Sequence, residues 1–161
     1  MPCTLNHEWR EQDPDAVDIV YTHHLLHQRI RVTMDQALEG NFVSYAQFRM
    51  LSLLAHTPNM FLNDMARQLR VTRQASRGVL HRLDMAGLVQ RTEGYEHEQA
   101  KPYRVTDLGH RRLERMHDLA RARFAMVDEL VDADERRTLV GLMLRVDRAL
   151  EPPRRPMWWL E

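Results

Sequence analysis

Arginines are concentrated in one short stretch of the chain. Positions 67 to 91 hold six arginines and one acidic residue, Asp84, although the 161-residue chain has no net charge, with 23 basic and 23 acidic residues. Local positive charge suits a nucleic-acid partner, because neutralising phosphates releases condensed counterions and so drives binding. A solvated charged face would have the same composition, so charge alone leaves both interpretations open.

The polar residues of this stretch have the types that read DNA. Arg, Gln and Ser can bond to base edges in the major groove, and groups near a helix start can contact phosphates. In the helix predicted over residues 73–86, the apolar residues that would face inward are Ala75, Val79, Leu83 and Ala86. The outward face would then hold Arg73, Gln74, Arg77 and His81, with Ser76 turned partly inward. Candidate DNA-binding residues are therefore Thr72, Arg73, Gln74, Ser76, Arg77 and His81, followed by Arg91, Lys101 and Arg104.

Histidine spacing raises the possibility of a metal site. His23 and His27 are four residues apart, which on a helix places them about 6 Å apart along the axis, a good chelating spacing. His110 and His117 would be about 10.5 Å apart, which is awkward for one ion. No cysteine or carboxylate cluster of fixed spacing accompanies them, so we expect no metal, with His23 and His27 as the candidate ligands if zinc binds.

A small aromatic or amphipathic effector is the alternative ligand. A mostly apolar pocket needs only a few polar groups. His23, His27, Tyr45, Arg49 and His117 could supply them between the first helix, the helix that Ser44 opens and the long helix. The same residues could be packing residues, and both interpretations stay open.

Catalytic motifs are absent from the sequence. We find no glycine-rich phosphate loop, no Gly-x-Ser-x-Gly and no His-Glu-x-x-His. We therefore predict that the protein is not an enzyme and has no cofactor.

The spacing of apolar residues predicts six helices and one β-hairpin. Capping-box pairs open two of the helices, Ser44 with Gln47 and Asp132 with Glu135. Gly78 would cost its helix about 1 kcal/mol relative to alanine, which close approach of backbone to DNA could explain. The predicted helices span residues 15–39, 44–57, 62–69, 73–86, 107–130 and 133–150, and the strands span 88–92 and 103–106.

Two short helices joined by a three-residue turn and followed by a hairpin describe a winged helix-turn-helix. We predict a mainly α fold with a small β-hairpin wing in a single domain over residues 1–161. Residues 44–106 would form the DNA-binding lobe, residues 15–40 and 107–150 the dimerisation helices, and 151–161 a tail. Cys3 is the only cysteine, and no run is apolar enough for a membrane span or a signal peptide, so we expect a cytoplasmic protein.

Several segments together resemble the MarR (multiple antibiotic resistance) family of bacterial regulators. They are Tyr45–Leu51, Met65-Ala66, Val71–Arg77, Leu83 with Gly87–Arg91, and Val105–Gly109. The resemblance implies a homodimer built from the first and last two helices, a recognition helix in each major groove and a wing beside the minor groove. It also implies control by a small molecule, a metal or redox state, more often in a repressor than in an activator.

The wing departs from the family pattern. The family's Asp-x-Arg corresponds here to His97-Glu98-Gln99, in a loop from Glu93 to Lys101 with three acids and one base. An acidic loop is repelled by a narrow minor groove. We therefore expect weakened wing contacts, or contacts shifted to Arg91, Lys101 or Arg104. A winged-helix adaptor that binds only protein is the alternative function.

Overall fold

The computed structural model describes residues 15–40, 43–93 and 101–150. Within these ranges it contains six helices and one two-stranded antiparallel sheet, which confirms the predicted fold class. The helices are α1 (Ala16–Leu38), α2 (Tyr45–His56), α3 (Leu62–Leu69), α4 (Arg73–Met85), α5 (Asp107–Leu130) and α6 (Ala133–Ala149), and the strands are β1 (Val89–Arg91) and β2 (Tyr103–Val105).

The start of α2 is held by its own cap and by α1. The Ser44 hydroxyl accepts from the Gln47 amide at 3.3 Å, and the Gln47 side-chain oxygen accepts from the Ser44 amide at 2.9 Å. This is the predicted capping box, which satisfies amides that have no partner within the helix. In addition, the Tyr45 amide donates to the Asp35 carboxylate on α1 at 2.8 Å. These bonds fix where α2 begins relative to α1.

The core lies among α2, α3 and α4. Helix α3 packs against α4, and both pack against α2. Apolar side chains from all three helices are almost fully buried, as expected for a close-packed interior. They are Met50, Leu51 and Leu54 of α2, Met65 and Ala66 of α3, and Val79, Leu80 and Leu83 of α4.

The buried face of α4 differs from the predicted one. Ala75 and Ala86 are exposed, whereas Ser76 and Leu80 are buried together with Val79 and Leu83. Positions 76, 79, 80 and 83 follow the i, i+3, i+4, i+7 pattern of one helix face. The prediction of Ala75 and Ala86 as inward residues was therefore wrong. Packing on α2 and α3 rotates the buried stripe so that Ser76 and Leu80 lie within it.

The hairpin pairs Val89 with Val105, Gln90 with Arg104 and Arg91 with Tyr103. It is attached to the segment between α2 and α3, because the Tyr103 amide donates to the Met60 carbonyl at 2.9 Å. The Thr92 hydroxyl also donates to the Asn59 side-chain oxygen at 2.7 Å. The base of the wing is thus connected to the helix-turn-helix by hydrogen bonds as well as by the chain.

The junction between the wing and α5 is tightly packed. The Thr106 hydroxyl donates to the Gly87 carbonyl at 2.7 Å and accepts from the Gly109 amide at 3.0 Å. Thr106 therefore caps α5 and ties it to Gly87, just after the end of α4. A Cβ added at Gly109 would overlap the Leu88 carbonyl oxygen and lie 2.6 Å from Val105 Cγ1, so only glycine fits there.

The described residues up to Arg123 form one compact unit, and those from Phe124 to Leu150 form a second, smaller unit. The second unit contains α6, which has the predicted capping box of Asp132 and Glu135 at its start. None of the residues in α6 is buried. Among the described helices, none has the length and hydropathy needed to cross a membrane.

Candidate nucleic-acid interface

The start of α4 is set by the turn that precedes it. Arg70 ends α3 in the left-handed region, with a φ of 53°, and its amide bonds back to α3. Thr72 is extended, and its hydroxyl oxygen accepts from the Ala75 amide at 3.1 Å. Thr72 is therefore the N-cap of α4. Its hydroxyl proton stays available to donate to a phosphate oxygen, since a hydroxyl is both donor and acceptor.

The exposed face of α4 is polar and cationic. Arg73, Gln74, Arg77 and His81 are all exposed, on the side away from Val79 and Leu83. Arg82 is exposed as well and adds a cation that the sequence-based set omitted. A convex helix with this composition can enter a major groove and present several hydrogen-bond donors to base edges.

Ser76 does not belong to this face. Its relative exposure is 0%, and its hydroxyl has no hydrogen-bond partner among the described residues. A side chain enclosed by α2, α3 and α4 cannot reach a base edge, so we withdraw Ser76 as a DNA-binding residue. The physical reason is the rotated buried stripe of α4, which directs position 76 into the core.

We predict that Ser76→Ala leaves DNA affinity within about twofold of wild type. The substitution removes a buried hydroxyl that lacks a partner, and such a change is nearly neutral or stabilising. Paired urea denaturation and DNA titration of the purified variant would check this. A loss of DNA affinity without a loss of stability would show that Ser76 contacts DNA after all.

The three predicted wing cations do not converge. Arg91 is held against Tyr103, with its Nε 3.0 Å from the Tyr103 hydroxyl and its guanidinium 5.6 Å from the ring centroid. Arg104 is paired with Gln90, whose oxygen accepts from Arg104 Nε at 2.9 Å once the amide is oriented toward it. Because adjacent residues of a strand point to opposite faces, Arg91 and Arg104 lie on opposite faces of the hairpin. Lys101 is half-buried before β2, and the predicted contacts around His97–Gln99 lie outside the described residues.

Three of the five candidate effector residues lie in one cluster on α2 and α5. The Phe48 ring connects them, because its centroid is 5.1 Å from that of His117 and 6.3 Å from that of Tyr45. The Arg49 guanidinium lies 6.0 Å from the Tyr45 ring centroid and donates to the Leu69 carbonyl at 3.2 Å. We call Tyr45, Phe48, Arg49 and His117 the aromatic cluster. Through Arg49 it is connected to the last residue of α3, immediately before the turn.

The other two candidates, His23 and His27, lie on an exposed stretch of α1. Their rings stack with centroids 6.3 Å apart. No group of three or more histidine, cysteine or carboxylate side chains in the described ranges is arranged to hold a metal ion. Two exposed imidazoles alone are fewer than the three or four protein ligands usual for zinc.

Sequence reasoning missed Phe48 and Arg82 as candidate functional residues. Phe48 was not among the candidate site residues, and nothing local places it against His117, 69 positions away. Arg82 would have been found by assigning the inward face of α4 to residues 76, 79, 80 and 83, since that choice leaves position 82 exposed.

Residues 43–100 match the model of the MarR family. That segment contains α2, α3, α4 and β1. No curated protein sequence matched the chain significantly.

Solved structures of MarR-family proteins share the fold. Apo MarR from E. coli is 20% identical and superposes with a TM-score of 0.69, covering 84% of this chain and 98% of that one. A mutant E. coli MarR complexed with operator DNA is 21% identical, with a TM-score of 0.67 and coverage of 83% and 99%. The Mycobacterium tuberculosis MarR family protein Rv2887 with salicylic acid is 24% identical, with a TM-score of 0.65 and coverage of 84% and 98%.

The family match therefore covers the segment in which the cationic face of α4 is built, and the structural matches extend over most of the chain. Residues 43–100 match the model of the MarR family, and the chain has the winged-helix fold seen in the solved structures of MarR-family proteins.

Proposed function

We propose that this protein is a DNA-binding transcriptional regulator that acts as a homodimer on a pseudo-palindromic operator. The observation that carries the proposal is the exposed, cationic face of α4, presented by a helix-turn-helix whose other face is buried. The operator complex of the E. coli MarR mutant, which has this fold, supports the same use of the scaffold. Arg73, Gln74 and Arg77 would read the major groove, and Thr72 would bond to phosphate.

Apolar surface on the helices outside the helix-turn-helix supports a homodimer. On α6, Leu142 is 48% exposed, and on α1, Val17 is 71% exposed. Along α6, the exposed Leu139, Leu142, Met143 and Val146 follow the spacing of one helix face, and a contiguous apolar face of this kind typically marks an interaction site. A second copy is the simplest occupant, because most soluble oligomers are symmetric homodimers. Two recognition helices related by a twofold axis would then meet half-sites about 34–36 Å apart.

We predict that the protein sediments as a dimer, at twice its chain mass of 19.1 kDa. Replacing Leu142 by alanine is expected to raise the dimer dissociation constant about tenfold, since each copy would bury less apolar surface in the interface. Sedimentation equilibrium over a range of protein concentrations would measure both values. A wild-type protein that sediments as a monomer at micromolar concentration would contradict the homodimer.

Binding to DNA is tested directly by fluorescence anisotropy. The labelled duplex carries the intergenic region upstream of the protein's own gene, and a shuffled duplex of equal length serves as the control. We expect tight binding that falls steeply as salt rises, because each neutralised phosphate releases counterions. Equal affinity for both duplexes would leave sequence-selective regulation unsupported, whereas no binding at low salt would favour an adaptor that binds only protein.

An aromatic carboxylate is the effector class that we propose for the aromatic cluster. Tyr45, Phe48 and His117 offer ring surfaces, and Arg49 offers a charge that can pair with a carboxylate. The solved complex of Rv2887 with salicylic acid supports this class. Binding there would compete for the Arg49 guanidinium that now bonds to Leu69, and so would loosen the turn before α4 and release the operator, as in a repressor.

Titrating salicylate into the protein–operator complex tests the effector. Release of the duplex is expected, with a coupling within the usual range of about 5–150-fold. Arg49→Gln keeps a donor for the Leu69 carbonyl but removes the charge, so this variant should bind the operator and respond at least about fivefold less to salicylate. Equal responses of the two proteins would exclude Arg49 as the carboxylate partner.

A further inference from the structure

Helix α4 has a half-buried glycine, Gly78, between the exposed polar residues of its cationic face. Gly78 lies one helical turn after Gln74 and one turn before Arg82, with Arg77 and His81 beside it. Glycine is among the poorest helix formers, because it has the most backbone freedom to lose on folding. A glycine inside a helix therefore needs a reason, either in packing or in binding.

Packing among the residues that the structure describes supplies no such reason. A Cβ built on Gly78 would meet only Nη1 of Arg82, at 3.9 Å, which is ordinary van der Waals contact with the end of a flexible side chain. The backbone at Gly78 has an ordinary helical conformation, unlike Gly87, whose φ of 68° favours glycine. Gly109 differs too, because an added Cβ there overlaps backbone. Alanine would thus fit at position 78 and would stabilise the helix.

We propose that Gly78 is a specificity-determining position, at which the missing side chain lets the α4 backbone lie directly against base edges. This inference rests on the proposed DNA-binding function. The neighbouring donors Gln74 and Arg77 can discriminate between bases only within hydrogen-bond range, about 2.7–3.2 Å. A single methyl group at position 78 would hold the helix out of that range. Contacts of flexible arginines with phosphates tolerate such a displacement and carry the non-specific affinity.

Gly78→Ala and Gly78→Val separate this role from helix stability. Alanine should raise the melting temperature by about 2–4 °C, whereas valine, a poorer helix former, should raise it less. Affinity for an operator selected with the wild-type protein should fall at least about tenfold with alanine and further with valine. Affinity for a shuffled duplex at the same salt should stay within about twofold of wild type.

The outcomes separate the two proposals. Unchanged operator affinity of Gly78→Ala would overturn the role of Gly78 while leaving the proposed function intact. The role of Gly78 would also be overturned if operator affinity rose with melting temperature, so that Gly78→Ala bound the operator most tightly. If the wild-type protein prefers no duplex over shuffled DNA, the proposed function fails, and the inference about Gly78 fails with it.

Discussion

Replacing Arg77 by alanine is expected to weaken operator binding at least about 30-fold. Arg77 is exposed on α4, and an arginine that bonds to a guanine contributes about 1–3 kcal/mol of discrimination. Since the substitution affects both copies of a homodimer, the loss of binding free energy is about 2 kcal/mol or more, and each 1.4 kcal/mol corresponds to a factor of ten. Anisotropy titrations on operator and shuffled duplexes at several salt concentrations would measure it.

The salt dependence distinguishes what Arg77 binds. If Arg77 bonds to a base, Arg77→Ala relaxes specificity at that base pair. If Arg77 bonds to a phosphate, the substitution weakens binding to all sequences equally and reduces the salt slope by about 1 for each phosphate. Arg137→Ala is the matched control, because it removes the same charge from an exposed arginine on α6 that is paired with Asp134. The control should bind within about twofold of wild type. Similar losses of affinity for both variants would mean that net charge, and not the face of α4, determines binding.

Gly109→Ala is expected to destabilise the protein by about 3 kcal/mol, near the upper end of the usual cost of overpacking. The added methyl group would overlap the Leu88 carbonyl oxygen, which is backbone and cannot rotate away. To relieve the overlap, the start of α5 must move away from Leu88, which lies between α4 and β1. That movement strains the bonds of Thr106 to Gly87 and Gly109. Urea denaturation followed by circular dichroism would measure the change at a fixed protein concentration, because a dimer's stability depends on it.

Gly78→Ala is the matched control for Gly109→Ala. Both substitutions add one methyl group to a helical glycine, but at Gly78 the methyl has room. The control should be as stable as wild type or up to about 1 kcal/mol more stable, since alanine is the better helix former. If both variants unfolded at the same urea concentration as wild type, the close contact between α5 and Leu88 would not be rigid.

Local patterns in the sequence were sufficient to predict most of the secondary structure. The predicted span 107–130 is that of α5, and the capping boxes at Ser44 and Asp132 form as predicted. The reason is that helix periodicity and capping depend on residues only three or four positions apart. The cationic composition of α4 is likewise a local property, so its candidate role was visible without a structure.

Which residues of α4 face the core was decided only by tertiary structure. The apolar spacing was interpreted as directing Ala75 inward, with Ser76 turned only partly inward. Burying a hydroxyl without a partner costs free energy. Packing on α2 and α3 outweighs that cost and buries Ser76, which removes it from the DNA-facing set and leaves Arg82 exposed.

The remaining features depend on contacts between distant parts of the chain. Arg49 bonds to Leu69 across 20 positions, and Thr92 bonds to Asn59 across 33. No pattern within one element specifies such a pair, because the partners meet only after the helices have packed. The sequence by itself therefore determined the helices, the hairpin and the charge of the recognition helix. Only the tertiary structure decided which side chains of α4 are exposed, how the aromatic cluster connects to α3, and why Gly109 must be glycine while Gly78 need not be for packing.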